Sequence, residues 1–587
     1  MKKNKPYQIE IFKNTDDFKV TSNLIKQYGK VAIYELHFFS DIEFEPQKTT
    51  FKWKYPAINV KGVWKPTSDF SKRIMDDWEL DHMQARIAVD SPVISVFGHN
   101  DANSMTFACS DAINTTALNV LYREEDNYMY CHVSFFTEKH HKIKNYKAQL
   151  IIDTTDYHFS NALDKVSQWW SSFDQLSPIM PVSEAAKLPV YSTWYQFHQN
   201  LDTTTLIEEC NKANKLGFGL IIIDDGWQTN DDNRGYDFTG DWESDRIPEM
   251  KSFVAQVHQT GMKLALWYSV PFCGKKSKAY QKFKNMLLVD EHRWAPVFDP
   301  RYPEVRDHLI TIYANALKEW NLDGFKLDFI DEFRVYPNTI LTMENGRDYA
   351  SVNLAVDRLM TDITKTLKGI KSDLVIEFRQ KYTGPAMRKY GNMFRAFDCP
   401  GDSVMNRVRI ADLRMLSGET AVHSDMFTYH PNESTEIKAL QVVNTLFGVP
   451  QLSILLKNAS ENELKMIAFY TNYWNKNKAI LLQGKFTPLK PLANYPIIKA
   501  ATNAHSIIGV YDDYMLDIDM NVDRIDIINA KISEEIVLNY NTIHSAYTCI
   551  VYDCMGNEVN QFSMQMNEAF KPIKVPPCGL VVCSKNK

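Results

Sequence analysis

The chain has 587 residues, of which 44% are apolar and 24% charged, a globular composition on a chain too long for a single core. A formal charge of −6 without any block of like charge argues against nucleic acid and against an anionic membrane as partners. Nothing approaches the roughly 18 consecutive apolar residues of a membrane span. The Met1-Lys-Lys start leads into no apolar stretch of leader length, and the nine cysteines include no CxxC pair. A cytoplasmic location with reduced thiols is expected, and a chain already relieved of a leader would read the same way.

Residues 1–180 alternate polar turns with short strand-like runs at Tyr7–Phe12, Val31–Phe39, Ala57–Trp64, Ile87–Phe97, Asn127–Phe136 and Ala148–Ile152, which predicts an all-β N-terminal β-sandwich. Near Lys187-Leu-Pro-Val-Tyr191 the pattern changes to short apolar strands separated by amphipathic helices, the sign of a parallel sheet. Eight strands are expected, at Val190–Phe197, Gly219–Asp225, Lys263–Val270, Gly324–Ile330, Asp373–Gln380, Asn392–Asp398, Thr420–Met426 and Gln451–Leu456. The segments Thr204–Leu216, Glu249–Thr260, Pro303–Trp320, Val352–Lys368, Arg407–Leu416 and Thr435–Phe447 repeat apolar residues at threes and fours and are expected helices. Such units in series predict a central (β/α)8 TIM barrel over 181–484, ending in a long helix at Asn462–Leu482. Strands at His505–Asp512, Arg524–Ile528, Ile536–Asn539, Ala546–Asp553 and Gly579–Cys583 then predict a C-terminal β-sandwich over 485–587.

A parallel barrel puts its chemistry where its strands end, and polar residues gather at those places. They are Trp194 on strand one, Asp224 and Asp225 on strand two, Trp267 on strand three, Lys326 and Asp328 on strand four, Glu377 and Arg379 on strand five, Arg395 and Asp398 on strand six with Asp402 just after, and His423, Ser424 and Asp425 on strand seven. Taken alone, Lys326-x-Asp328 reads as an ordinary ion pair, and Asp224 with Asp225 as a helix cap. Repetition from strand to strand favours a site, and sugar hydroxyls would satisfy such a set of carboxylates. No HExxH, HxH or cysteine cluster is present, so no metal is expected; without a GxGxxG or P-loop, no nucleotide cofactor is expected either.

Ile223-Asp-Asp-Gly-Trp227, Val297-Phe-Asp-Pro-Arg-Tyr-Pro-Glu-Val-Arg306, Gly324-Phe-Lys-Leu-Asp328 and the later Ile467-Ala-Phe-Tyr470 and Leu481-Leu-Gln-Gly-Lys-Phe486 resemble the α-galactosidases of glycoside hydrolase family 36, the melibiases. The resemblance implies that Asp328 is a nucleophile and Lys326 a sugar-binding neighbour. It also implies that Asp224 and Asp225 hold hydroxyls of a terminal galactose-like ring, that Trp194 closes the pocket, and that Arg293 contacts substrate. Trp267, Glu377, Arg379 and Arg395 complete the expected substrate-binding set. Two stretches depart from the family pattern: the Cys-Ser-Gly-rich run after strand five is here Ile376-Glu-Phe-Arg-Gln-Lys-Tyr382, and the acid/base stretch is Phe397-Asp-Cys-Pro-Gly-Asp402. Arg395-Ala-Phe-Asp398 resembles the R-x-x-D of plant raffinose-synthase relatives, which assigns the acid/base to Asp398, with Asp402 as the substitute.

Two carboxylates about 5 Å apart cleave a glycosidic bond with retention, one attacking the anomeric carbon while the other protonates the leaving oxygen. At that distance and an effective dielectric near 20, ionised Asp328 would cost a second carboxylate roughly 3 kcal/mol and raise its proton affinity, while Lys326 would favour the charge on Asp328. The expected activity is removal of terminal α-linked galactose from an oligosaccharide or glycoside. The alternatives are an α-N-acetylgalactosaminidase, a raffinose-synthase-like transglycosidase and a non-catalytic sugar-binding protein. The sequence leaves a homo-oligomer open.

Overall fold

Leu220-Ile-Ile-Ile223 buries all four of its side chains, as a strand does when helices cover one face and a barrel interior the other. The computed structural model describes residues 7–79, 83–233, 236–379, 381–519, 522–540, 546–564 and 570–586. Its centre is a closed parallel barrel of eight strands: β1 (Val190–Ser192), β2 (Leu220–Ile223), β3 (Lys263–Ser269), β4 (Gly324–Asp328), β5 (Val375–Arg379), β6 (Met393–Arg395), β7 (Ala421–Phe427) and β8 (Val449–Leu452). Each strand lies within its expected span except β7 and β8, which are displaced by one or two residues at one end. Gln380, the expected end of strand five, lies outside the described residues.

Alternation along the strands sends one set of side chains inward. At the floor this set is apolar: Val190, Leu220, Ile222, Ala265, Val375 and Met393 pack with Ala185 and Ala186. Higher up, the register aligns Trp267 with Lys326 and Lys326 with Glu377, and above them Arg379 with Arg395. The interior therefore passes from hydrocarbon to charge within the length of one strand.

The surrounding helices begin where capping chemistry allows. Asp202 caps Thr203–Lys215, Ser351 caps Val352–Ile370 and Asp402 caps Ser403–Arg414, each accepting a backbone N–H in the first turn. Ser460 and Glu463 form a reciprocal capping box on the long helix Glu461–Gln483. Pro303 opens Pro303–Glu319, where a missing N–H leaves no hydrogen bond unmade.

Before the barrel, a five-stranded and a six-stranded sheet face one another, with Leu36, Phe38 and Leu150 of one against Phe51, Trp53 and Val120 of the other. After it, a seven-stranded sheet covers a three-stranded one through Ile508, Ile527 and Val581 against Ile518, Leu538 and Ile573. The N-terminal region differs from expectation in several respects. The helix Phe159–Trp170 interrupts the expected all-β segment and is tied down by Trp170 Nε1, which donates to the Cys109 carbonyl at 2.8 Å. The strand expected over Ala57–Trp64 is shortened to Gly62–Trp64 behind a turn with Asn59 at φ 56°, and Thr49–Pro56, Asn103–Cys109 and Thr116–Arg123 are strands that were not expected. Lys19–Tyr28 is a further strand that was not expected; its outer half is exposed on every residue, Leu24, Ile25 and Tyr28 included, and shows no strict alternation of apolar and polar residues.

The three regions meet at one side chain. Asp412, buried on the helix Ser403–Arg414, accepts from Trp64 Nε1 of the N-terminal region at 2.7 Å and from the Tyr495 hydroxyl of the C-terminal region at 2.6 Å. Lys72 of the N-terminal region stands 3.4 Å away. The N-terminal region also reaches the face where the barrel strands end: Asp69 binds Arg409, and Asp90 N donates to Lys381 O at 2.7 Å.

Candidate active site

Asp224 and Asp225 leave β2 through a tight turn. Gly226 there has φ 120°, and a Cβ on it would lie 2.7 Å from Gln199 Cα, so the position takes only glycine without strain. Asp224 accepts from Lys326 Nζ at 2.5 Å and from the Asp225 amide at 2.9 Å. Lys326 is thus paired across the strands with Asp224, and the expected pairing with Asp328 along its own strand is corrected: its ammonium is drawn to the neighbouring strand end. Asp225 accepts from Gln228 at 2.7 Å and Gln199 at 3.1 Å, and burial, reinforced by the charges of Asp224 and Asp328, pushes its carboxyl up to about 7.

Asp328 closes β4 and is 2% exposed. Its Oδ1 accepts from Phe329 N at 2.7 Å and from Arg379 Nε at 2.5 Å, while Oδ2 accepts from Trp267 Nε1 at 2.8 Å. The cation on the candidate nucleophile is therefore Arg379 of β5. The same guanidinium lies 3.6 Å from Asp398 Oδ2 and 5.0 Å from the centre of the Phe329 ring.

Asp398 follows β6 and is more open, with a third of its side chain exposed. Arg395 Nη2 donates to its Oδ1 at 2.6 Å, and Arg409 Nη1 to its backbone carbonyl at 3.0 Å. Burial disfavours its charge, but the positive charges of Arg395, Arg379 and Lys326 prevail and hold its carboxyl well below the usual carboxylate range. This reverses the expectation that Asp328 would raise it, because Arg395, Arg379 and Lys326 are the leading charges acting on Asp398.

Arg395 is itself buried among three carboxylates. Besides Asp398 it binds Asp425 through Nη1, and its Nε lies 3.6 Å from Glu377 Oε1. Glu377 also accepts from Gln451 Nε2 at 2.6 Å, and burial raises its carboxyl in spite of Arg395 and Lys326. Asp425 further accepts from the Tyr195 hydroxyl and the Cys399 amide. The site network thus has two bonded parts, Lys326 with Asp224 and Asp225, and Trp267, Asp328, Arg379, Asp398, Arg395 and Glu377, set side by side where the register aligns Lys326 with Trp267 and Glu377. Trp194 stands at its rim in a short helical turn, Trp194–Phe197, where a strand was expected, with its ring stacked 4.7 Å from that of His198.

Two expected site residues lie apart from this network. Asp402 is exposed, and its Oδ1 accepts from Met405 N at 2.8 Å as the cap of the following helix, which sets it outside the network. Arg293 has 73% of its side chain exposed and reaches only to 3.7 Å from Glu332. Conversely, Tyr195, Gln199, Gln228, Tyr236 and Gln451 line or brace the site without having been singled out in the sequence; as neutral residues they give no charge signal, and Tyr236 enters through its ring, which meets Trp267 and Phe329.

Comparison with known proteins agrees with this layout. The melibiase family model matches residues 157–376. The chain is 29% identical to alpha-galactosidase 2 of Pediococcus pentosaceus over 148 residues, 24% of this chain and 20% of that protein. It is 26% identical to alpha-galactosidase Mel36A of Lactobacillus acidophilus over 188 residues, 30% of this chain and 24% of that protein. These alignments therefore span only a fifth to a quarter of the length of the curated relatives. Over the whole fold, the GH36 alpha-galactosidase AgaA of Geobacillus stearothermophilus superposes with a TM-score of 0.67 at 12% identity, covering 99% of this chain and 89% of that one. The alpha-galactosidase of Lactobacillus brevis gives 0.66 at 14%, covering 99% and 85%. With the melibiase segment running through its barrel and the fold of the GH36 enzymes around it, the chain is melibiase-like.

Proposed function

We propose that the protein is a retaining glycoside hydrolase that removes terminal α-linked galactose, with Asp328 as nucleophile and Asp398 as acid/base. The observation that carries the reading is the Arg379 guanidinium shared by these two carboxylates, which keeps both beside one small space, as a double displacement requires. The names of the relatives support galactose as the sugar, and AgaA variants have been solved with stachyose and with raffinose.

In this reading Asp328 Oδ2, which has one donor where Oδ1 has two, attacks the anomeric carbon. The bond to the leaving oxygen breaks as Asp398 gives that oxygen its proton. Water then attacks the same carbon, passes a proton to Asp398 and releases Asp328 from the ester, so the product keeps the α configuration. The Asp224–Lys326 pair and Asp225 offer acceptors and a donor to the ring hydroxyls, and Trp194 an apolar edge. Arg379 and Arg395 leave Asp398 ready to act as a base, so the demanding half of the cycle is the first, in which it must bring a proton.

The test is to incubate the purified chain with a panel of aryl α- and β-glycosides and to follow the first-formed sugar by proton NMR. Hydrolysis of the α-galactoside in preference to the others, with α-galactose appearing first, is expected. Turnover of none of them, or β-galactose as the first product, would sink the reading.

A further inference from the structure

Asp425 takes no part in the double displacement, yet it is fully buried and bonded to β6, to the peptide after Asp398, to the turn after β1 and to the helix Ser403–Arg414. Its carboxylate accepts from Arg395 Nη1, from the Tyr195 hydroxyl at 2.7 Å and from the Cys399 amide at 2.6 Å. Asn406 clamps its backbone on both sides, accepting from Asp425 N at 3.0 Å and donating to Asp425 O at 2.9 Å. Burial raises the Asp425 carboxyl while Arg395 favours its charge, so Arg395 stands between two carboxyl groups that compete for it, a rigid one behind it and the half-open Asp398 in front.

We propose that Asp425 is the positioning residue of the acid/base. It fixes Arg395 and the peptide that follows Asp398, and so decides how much of the Arg395 charge Asp398 receives. The proposal rests on the assignment of Asp398 as acid/base. The charged and titratable groups facing the Asp398–Asp425 pair are Arg395 of β6, Glu377 and Arg379 of β5, Lys326 of β4, His423 of β7, Arg409 of the helix Ser403–Arg414, Tyr195 of the turn after β1, and Cys399. Changing Asp425 to its amide replaces none of these, so the effect has a definite sign.

Asp425→Asn keeps the shape but removes the competing anion. Asp398 then holds its proton less tightly, and the alkaline limb of kcat/KM for an alkyl or sugar leaving group moves down by about one pH unit, a roughly tenfold loss at fixed pH on that limb. A dinitrophenyl leaving group, which departs without a proton, is spared in the first step. Tyr195→Phe acts in the opposite direction: Asp425, short of one donor, draws harder on Arg395, and the limb moves up. Carbon NMR of the full chain labelled at aspartate carboxyls, with Asp398 assigned through Asp398→Asn, reads the same two opposite shifts without any turnover. A purely structural role would slow both leaving groups alike and leave the Asp398 titration in place; that result, or shifts of the same sign in both variants, overturns the proposal. Should Asp425→Asn fail to fold, Tyr195→Phe decides alone. Absence of α-galactoside hydrolysis in the wild type would count against the proposed activity, and the titration would still decide the role of Asp425.

Discussion

Arg379 Nε lies 2.5 Å from Asp328 Oδ1, and through its other end the same guanidinium stands 3.6 Å from Asp398. Removing one anion therefore leaves the buried cation a second, and the usual penalty of about 3–5 kcal/mol for breaking a buried pair is only partly incurred. Asp328→Asn should keep its circular dichroism and melting temperature within a few degrees while kcat falls by more than about a thousandfold, since no other β4 residue can form the glycosyl intermediate. A variant retaining above about a tenth of wild-type kcat would remove Asp328 from the mechanism.

Loss of the acid/base has a different signature. Asp398→Ala should form the glycosyl-enzyme readily from a dinitrophenyl galactoside, show a burst, and then stall because no base activates water. Azide needs no base, so it should restore turnover and yield the α-galactosyl azide. Rescue giving the β-azide would exclude retention.

Asp402→Ala should behave as a lost helix cap. The expected effect is about 0.5–2 kcal/mol of stability with kcat and KM close to wild type, measured by denaturant unfolding and steady-state kinetics. Azide rescue of this variant, and none of Asp398→Ala, would exchange the two roles.

The depressed carboxyl of Asp398 sets the sign of the pH dependence. Its protonated fraction falls tenfold for each pH unit above its pKa, so kcat/KM toward an unactivated α-galactoside should decline with rising pH from about 5 upward. A dinitrophenyl galactoside should show no such decline. As a depressed carboxylate, Asp398 also contributes stability that is present above its unfolded pKa and lost as the pH falls through its folded one. A flat profile for the unactivated substrate would mean that the arginines do not govern this group.

Asp225 gives the opposite linkage. With a folded pKa raised to about 7, it binds its proton more tightly folded than unfolded, so its contribution is full below about pH 4 and lost as the pH rises to about 7. Asp225→Asn escapes this loss. Its melting temperature relative to wild type should therefore rise between about pH 4 and pH 8, as followed by calorimetry; a difference independent of pH would show that the burial cost is already met by Gln199 and Gln228.

The barrel and most of its charged interior were legible in the sequence because short apolar strands that end in acids and bases, and that alternate with amphipathic helices, suit few architectures besides a parallel barrel. What escaped was reach. Nothing in the spacing of Glu377 and Arg379 tells that Arg379 extends over two neighbouring strands, or that Lys326 prefers Asp224 to the aspartate two residues away. The capping role of Asp402 escaped for a local reason: the helix it caps opens with Ser403-Val-Met-Asn406, which lacks apolar periodicity, so the helix was expected only from Arg407 and its cap resembled a strand-end acid. In the N-terminal region the outer half of Lys19–Tyr28 faces solvent on every residue, and the helix Phe159–Trp170 lies in a stretch read only for strands.

Asp412 limits how this chain can be divided. A carboxylate that is 3% exposed, with burial raising its proton affinity, depends on Trp64 and Lys72 from one side and Tyr495 from the other. A barrel excised from its neighbours would keep the anion and lose every one of those partners, opening a hydrophobic seam onto a charge. The three regions should thus melt in one calorimetric transition, and barrel grafts or truncations intended for engineering need a neutral, apolar replacement at 412 before any residue of the active site is touched.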